Sequence, residues 1–280
     1  MIKRRIKIRW IAAVTGLLIL FCLALTGFPQ NPYNLGALSL NNSLLPPGTA
    51  TTQMVFWLGS DLQGRDVLSA MVYGLYTSLW ICLVSSAIAL LLGVFLGLTA
   101  AYRGGWVEQV VLRLVDLKLA VPTLLVALLL HMILGPSALT VIIALSLSGW
   151  AYYARTIRSV ALEQLSQDYV KSARCLNASW FTLIFKVLLP NCLTPLFIVI
   201  TYRFAHCLMV EASLSFLGLG MPLSTPSLGV LVNRGADYLL TGHYWLSLFP
   251  GLTLTLLLIG INTYGDHLSR KFNPSIHIFK

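Results

Sequence analysis

The sequence predicts an all-α, polytopic membrane protein of six transmembrane helices, and three observations carry that reading. Of 280 residues, 57% are hydrophobic and only 10% charged, where an ordinary soluble domain is about 25% charged. Uncharged runs recur along the chain at close to the roughly 20 residues needed to cross the hydrocarbon. The 19 Lys and Arg residues fall almost entirely between alternate runs. Length alone suggests about two domains, but helix spans organise this chain better than globular cores do.

The first run is Trp10–Phe28. It exceeds the roughly 7–15 apolar residues of a signal peptide and has no clean small-x-small cleavage site after it. Phe21 before Cys22 is a poor lipoprotein processing site, so the run reads as an uncleaved anchor. Residues 29–57 form a polar segment containing Pro and Asn, loosest at "LPPGTATTQ". The stretch "LGSDLQGRDVLSAMVYGLYTSL" (58–79) turns at Gly59–Asp61 and at Gly64, then starts a short helix at Asp66. A carboxylate there accepts from free N–H groups of the first turn. That helix leads into the second span, Ser78–Ala101.

The stretch "VEQVVLRLVDLK" (107–118) is amphipathic, with Val107, Val110, Val111, Leu114 and Val115 on one face and Glu108, Arg113 and Asp116 mostly off it. The third run, Leu119–Leu134, extends back through it, and Pro122 kinks that span or ends its first segment. Ala138–Tyr153, Leu193–Ala212 and Tyr244–Tyr264 are the remaining spans, with Pro250 and Gly251 playing a similar part in the last. No internal repeat or low-complexity tract interrupts them.

Six spans put both termini on one side. Sixteen basic residues then share that side: Lys3, Arg4, Arg5, Lys7 and Arg9; Arg103, Arg113 and Lys118; Arg155, Arg158, Lys171, Arg174 and Lys186; Arg270, Lys271 and Lys280. Only Arg65 and Arg234 fall on the other, and Arg203 lies within a span. The positive-inside rule makes the basic side cytoplasmic. The net charge of +10 is therefore topology and not nucleic-acid binding. The five cysteines are odd in number and scattered, with no metal or disulfide spacing. The organisation expected is an anchor helix and extracytoplasmic segment over 1–75, a core over 76–268 and a cytoplasmic tail over 269–280.

The nine acidic residues are dispersed, so no catalytic pair is placed, and no G-x-x-x-x-G-K-[ST] phosphate loop occurs. No catalytic or metal site is expected. Arg203, His206 and Glu211 are the polar residues of the fifth span. Charge inside a membrane is expensive and usually faces a bundle interior or a water-filled path. They either line such a path or make structural contacts that fix helix packing. Arg203 and Glu211 are too far apart along one helix to pair, about 12 Å. His206 and Cys207 point about 100° apart and do not converge on a metal. His131 reads as a packed, hydrogen-bonded histidine.

The segment "KSARCLNASWFTLIFKVLLPN" (171–191) is basic and reads as two short helices. Helical periodicity runs from Arg155 to about Leu176 and stops at Asn177, a residue that tolerates the left-handed closing conformation. Ser179 can cap the next helix, from Trp180, which should end near Pro190. Lys171, Arg174 and Lys186 keep the element in water, while Trp180, Phe181, Ile184 and Phe185 supply an apolar face. It is either a docking surface or an ordinary interfacial loop.

This segment resembles the EAA loop of binding-protein-dependent ABC importer permeases: Glu-Ala-Ala, three residues, Gly, nine residues, Ile-x-Leu-Pro. The same spacing here holds Lys171, Ser172 and Ala173, then Asn177, then Val187, Leu188, Leu189 and Pro190. Lys in place of Glu reverses a charge. "LGSDLQGRDVLSAMVYG", "GWAYYARTIRS", "EASLSFLGLG" and "TPSLGVLV" are similar to the C-type subunit of the dipeptide, oligopeptide and nickel permeases. The resemblance implies a type I importer permease fold in a bacterial inner membrane, with residues 169–190 as the coupling helix region. It further implies a second, B-type permease, two ABC ATPase subunits that bind the ATP and Mg, and an extracytoplasmic solute-binding protein. The cargo implied is a small peptide or peptide-like solute, with nickel or a metal chelate as the alternative. A membrane scaffold without transport is the other class.

Overall fold

A computed structural model describes residues 39–51, 55–176, 179–222 and 224–272. The expected first span, Trp10–Phe28, and most of the tail lie outside the described residues. The chain is mostly helical, and its apolar runs become long helices. α1 spans Val67–Arg103. It starts where Asp66 Oδ2 accepts from the Ser69 N–H at 2.8 Å and from Ser69 Oγ at 2.7 Å. Its only charged residue is Arg103, in the last turn, where a cation suits the helix dipole. At 37 residues it is about 55 Å long, against about 30 Å of hydrocarbon. The expected short helix and second span are thus one helix, and the boundary expected at 75/76 falls inside it.

Gly104 (φ +62°) and Gly105 (φ +53°) end α1 with a conformation that costs other residues strain. α2 (Gly105–Ala120) and α3 (Thr123–Leu134) follow, bent by 84° around Val121 and Pro122. Of the amphipathic face of α2 only Val111 and Val115 are buried. α3 has 12 residues, about 18 Å, too short to cross by itself. α4 covers Ala138–Leu165 and α5 Asp168–Cys175. The expected single periodic run from Arg155 to Leu176 is therefore broken at Ser166–Gln167. The reason is local: Ser166 Oγ donates to the Glu163 carbonyl at 2.7 Å, and the Ser166 and Gln167 N–H groups bond three residues back. Ser competes with the helical ladder in this way. Asn177 lies outside the described residues.

Ser179 Oγ accepts from the Thr182 N–H at 3.2 Å. A π-helical segment, Thr182–Leu188, then runs straight into α6 (Leu189–Phe216). The expected stop at Pro190 is wrong. Pro clashes in an α-helix because its ring meets the carbonyl four residues back and its N–H is missing. In the wide turn that precedes it, the Leu189 N–H bonds to Ile184, five residues back. The ladder is already open where Pro190 enters, and the chain continues. α7 (Leu228–Ala236) is capped by Ser227 Oγ, and α8 (Trp245–Phe272) runs through Pro250. Among the described residues, α1, the run Thr182–Phe216 and Trp245–His267 are long and apolar enough to cross a membrane. The bent α2–α3 pair makes a fourth if it counts as one span. α4 is not among them, and its 28 residues include Arg155, Arg158 and Glu163.

The all-α expectation meets one small exception, β1 (Thr49–Ala50) paired antiparallel with β2 (Val55–Phe56). The described residues divide into two compact units. One holds 39–82, 127–141 and 208–263. It packs Val67 and Met71 of α1 against Trp245 and Leu246 of α8, with Leu44 and Leu58 over them. The other holds 83–126, 142–207 and 264–272. In it α1 meets α4 through small residues: a Cβ on Gly97 would lie 2.0 Å from Ile157 Cγ2, and one on Gly93 2.5 Å from Tyr153 Cβ. Gly149 faces Ala89 in the same seam. Close backbone approach at residues spaced by four is a common device for packing helices in lipid.

Candidate functional site

The 168–190 region is built from α5, the π segment and the start of α6. Val170 anchors α5 with 0% exposure. Lys171 and Ser172 point outward and Ala173 is half-buried. Lys171 Nζ pairs with Asp168 at 2.9 Å, one turn earlier. Both side chains are well exposed, so the pair contributes little stability. In the π segment Leu183, Ile184 and Leu188 are buried. Ile184, expected on the outer apolar face, is core. Phe181 and Phe185 form that face instead, with ring centroids 4.6 Å apart, beside exposed Lys186. Val187 and Leu189 are half-buried and Pro190 exposed.

The polar residues of the fifth span do not form one site. Arg203 and His206 belong to the second unit and Glu211 to the first. Arg203 is half-buried and stacks its guanidinium on the Tyr152 ring of α4, 3.6 Å from the centroid. Its Nε is shielded and makes no hydrogen bond among the described residues. Lys118, at the end of α2, and exposed His206 lie close enough for their charges to interact with Arg203.

Two ion pairs hold α2 against α4 around this cluster. Arg155 bonds Asp116 at 2.5 Å, and Arg158 Nε bonds Glu108 at 2.8 Å with Nη2 on the same oxygen. The first is about half exposed and adds little, while the second is three-quarters buried and contributes on the order of 1 kcal/mol.

Glu211 is 0% exposed. Its Oε1 accepts from Ser215 Oγ at 2.8 Å. Its other oxygen makes no hydrogen bond of normal length, and the hydroxyls of Ser78 and Ser227 stand nearby. Those hydroxyls accept from the Leu228 and Val230 N–H groups. The carboxyl therefore sits behind the first turn of α7, and a Cβ on Gly229 would lie 2.4 Å from the Ala212 carbonyl. This is the geometry of a packing clasp. Tyr152, Lys118 and the three serines were not singled out by sequence. Lys118 was counted only as a topological charge, and serines in apolar runs carry no distinguishing pattern.

Residues 89–278 match the family described as "Binding-protein-dependent transport system inner membrane component". The dipeptide transport system permease protein DppC of Bacillus subtilis (strain 168) is 34% identical over 93% of this chain and 80% of its own length. The di/tripeptide transport system permease protein DppC of Pseudomonas aeruginosa (strain UCBPP-PA14) is 35% identical over 93% and 86%. Among solved structures, the inward-facing MetNI methionine ABC transporter aligns with a TM-score of 0.59 at 19% identity, over 72% of this chain and 96% of that one. That likeness concerns the fold alone. With a matched region covering most of the helical core and relatives above 30% identity along nearly all of it, the chain belongs to the family of binding-protein-dependent transport system inner membrane components.

Proposed function

We propose that this chain is the C-type permease subunit of an ATP-driven importer of small peptides or peptide-like solutes, and that it forms half of the translocation path. The likeness to dipeptide and di/tripeptide permeases over 93% of the chain supports the cargo class. The observation that carries the reading is the Arg203 cluster. A guanidinium held flat on Tyr152 keeps its charge at any physiological pH and presents donors in a fixed plane, and Lys118 and His206 widen the target. A peptide always has a carboxylate to offer it. The contact must be transient, since a strong site would retain the cargo.

In this reading the chain has six spans, including Trp10–Phe28, with both termini cytoplasmic. A B-type permease supplies the other half. Two ABC ATPase subunits bind ATP and Mg, and an extracytoplasmic binding protein delivers the solute. The 169–190 loop is the coupling element: closure of the ATPase pair pushes on Lys171, Ser172 and the Phe181–Phe185 face. The π segment passes the motion into α6, which carries Arg203. Residues 1–75 serve as anchor and outer segment, 76–268 as core and 269–280 as tail.

The test is uptake by cells or by the reconstituted importer. Labelled dipeptide should accumulate, and excess unlabelled dipeptide should suppress it. Replacing Ser172 by Trp should leave the chain in the membrane while separating ATP hydrolysis from uptake. Ala173→Asp should do the same. Unchanged uptake in both variants rejects the coupling assignment. No dipeptide competition, together with loss of nickel accumulation on deletion, replaces the cargo by nickel or its chelate. Loss of neither points to a scaffold.

A further inference from the structure

The first unit encloses a cleft that none of these roles uses. It has a volume of about 320 Å³ and is walled by the turn around Leu62, the end of α7 and the first turns of α8. That is the lower end of the range for ligand pockets, about 300–1,000 Å³. Arg234 lines it, half-buried, and makes no hydrogen bond or ion pair among the described residues. Asp61 and Asp237 line it too, as do Leu62 and Leu231. The Asp61 carboxylate is already oriented, because Oδ1 accepts from the Gln63 and Arg65 N–H groups at 2.9 and 2.8 Å. Gln63 is also on the wall, and its Oε1 has no partner among the described residues. The loop itself is fixed: Gly64 has φ +73°, and a Cβ there would lie 2.1 Å from the Ser39 carbonyl oxygen.

We propose that this cleft is a second binding site, for the two charged ends of a short peptide. Arg234 takes the carboxylate in its planar fork, and Asp61, Asp237 and the Gln63 carbonyl oxygen take the ammonium group. One cation beside two anions offers a partner to each end of a zwitterion. The apolar walls at Leu62 and Leu231 accept a small side chain between the ends. The inference rests on the peptide-importer reading, under which this surface faces outward.

The experiment uses the full chain assembled with its partner subunits in lipid nanodiscs, without the solute-binding protein. The native cysteines are replaced, and Leu62→Cys, at a position 40% exposed, reports through its rate of maleimide labelling. Dialanine should slow the labelling several-fold. Dialanine amide and N-acetyl dialanine, each lacking one charge, should slow it much less. Arg234→Gln should abolish the effect, and Arg234→Lys should keep part of it. No slowing by dialanine, or equal slowing by the amide, overturns the proposal. Dialanine uptake by the complete importer separates the two readings. Uptake without protection rejects the cleft alone, whereas protection without uptake supports the cleft and rejects the importer.

Discussion

Arg203 shows what a single charge needs in order to persist inside a membrane protein. An isolated arginine at mid-membrane costs several kcal/mol. The stack on Tyr152 at 3.6 Å returns up to about 2 kcal/mol when desolvated, and in the proposed reading water or passing solute supplies the rest. Replacing Arg203 by Ala should therefore reduce dipeptide uptake by at least about tenfold, the equivalent of 1.4 kcal/mol, with the chain still inserted and the ATPase still docked. Arg203→Lys should recover only part, because an ammonium lacks the planar fork. Initial uptake rates with equal membrane amounts of each variant decide this. A loss of the chain from the membrane in both variants would instead mark Arg203 as structural. Arg203 and Glu211 were legible in the sequence because charges stand out in an apolar run. Their partners were not: Tyr152 lies in a different span, and Ser78, Ser215 and Ser227 are scattered among ordinary serines. The sequence placed Arg203 and Glu211 on one helix, but only the fold gives them separate surroundings.

The elements were legible in proportion to how local their causes are. The start of α1 at Asp66, the break at Pro122 and the cap at Ser179 follow from short-range hydrogen bonding and proline geometry. The continuation through Pro190 was not, since a π turn leaves no sequence mark and cancels the usual penalty of proline. The break at Ser166–Gln167 depends on a side-chain bond that competes only weakly with the helix. The seam between α1 and α4 is illegible for another reason. Gly93 and Gly97 are spaced by four, but only the structure shows what faces them. With Ile157 Cγ2 at 2.0 Å and the Ala154 carbonyl oxygen at 2.6 Å from a Cβ on Gly97, Gly97→Leu cannot be absorbed by one rotamer change. Overpacking of this kind costs about 1–3 kcal/mol or more. Gly97→Leu should lower the thermal denaturation midpoint of the purified chain or abolish its accumulation. A leucine at Gly251, where the nearest atom to a Cβ is 4.0 Å away, should have little effect. Equal stability of the two variants would mean that the seam is not tight.

Across the whole molecule the orientation rests on charge, because nothing in a helix bundle itself distinguishes inside from outside. With the six spans expected from the sequence, sixteen Lys and Arg residues would share one face against Arg65 and Arg234 on the other, a bias that the positive-inside rule would convert into a direction. The described structure offers two well-exposed reporters on segments that this rule sends to opposite sides. Leu240 follows α7 and is 99% exposed. Cys175 ends α5 in the 168–190 region and is exposed. In a chain whose other cysteines are replaced, Leu240→Cys should react with an impermeant maleimide in intact cells. Cys175 alone should react only after the membrane is opened. Both outcomes are needed, since a reporter that never reacts could simply be covered by a partner subunit, and permeabilised cells supply that control. Labelling of Cys175 from outside in intact cells would invert the topology. It would put the coupling region out of reach of any cytoplasmic ATPase and move the Arg234 cleft to the inner face, so the importer reading and the outward-facing cleft would fall together.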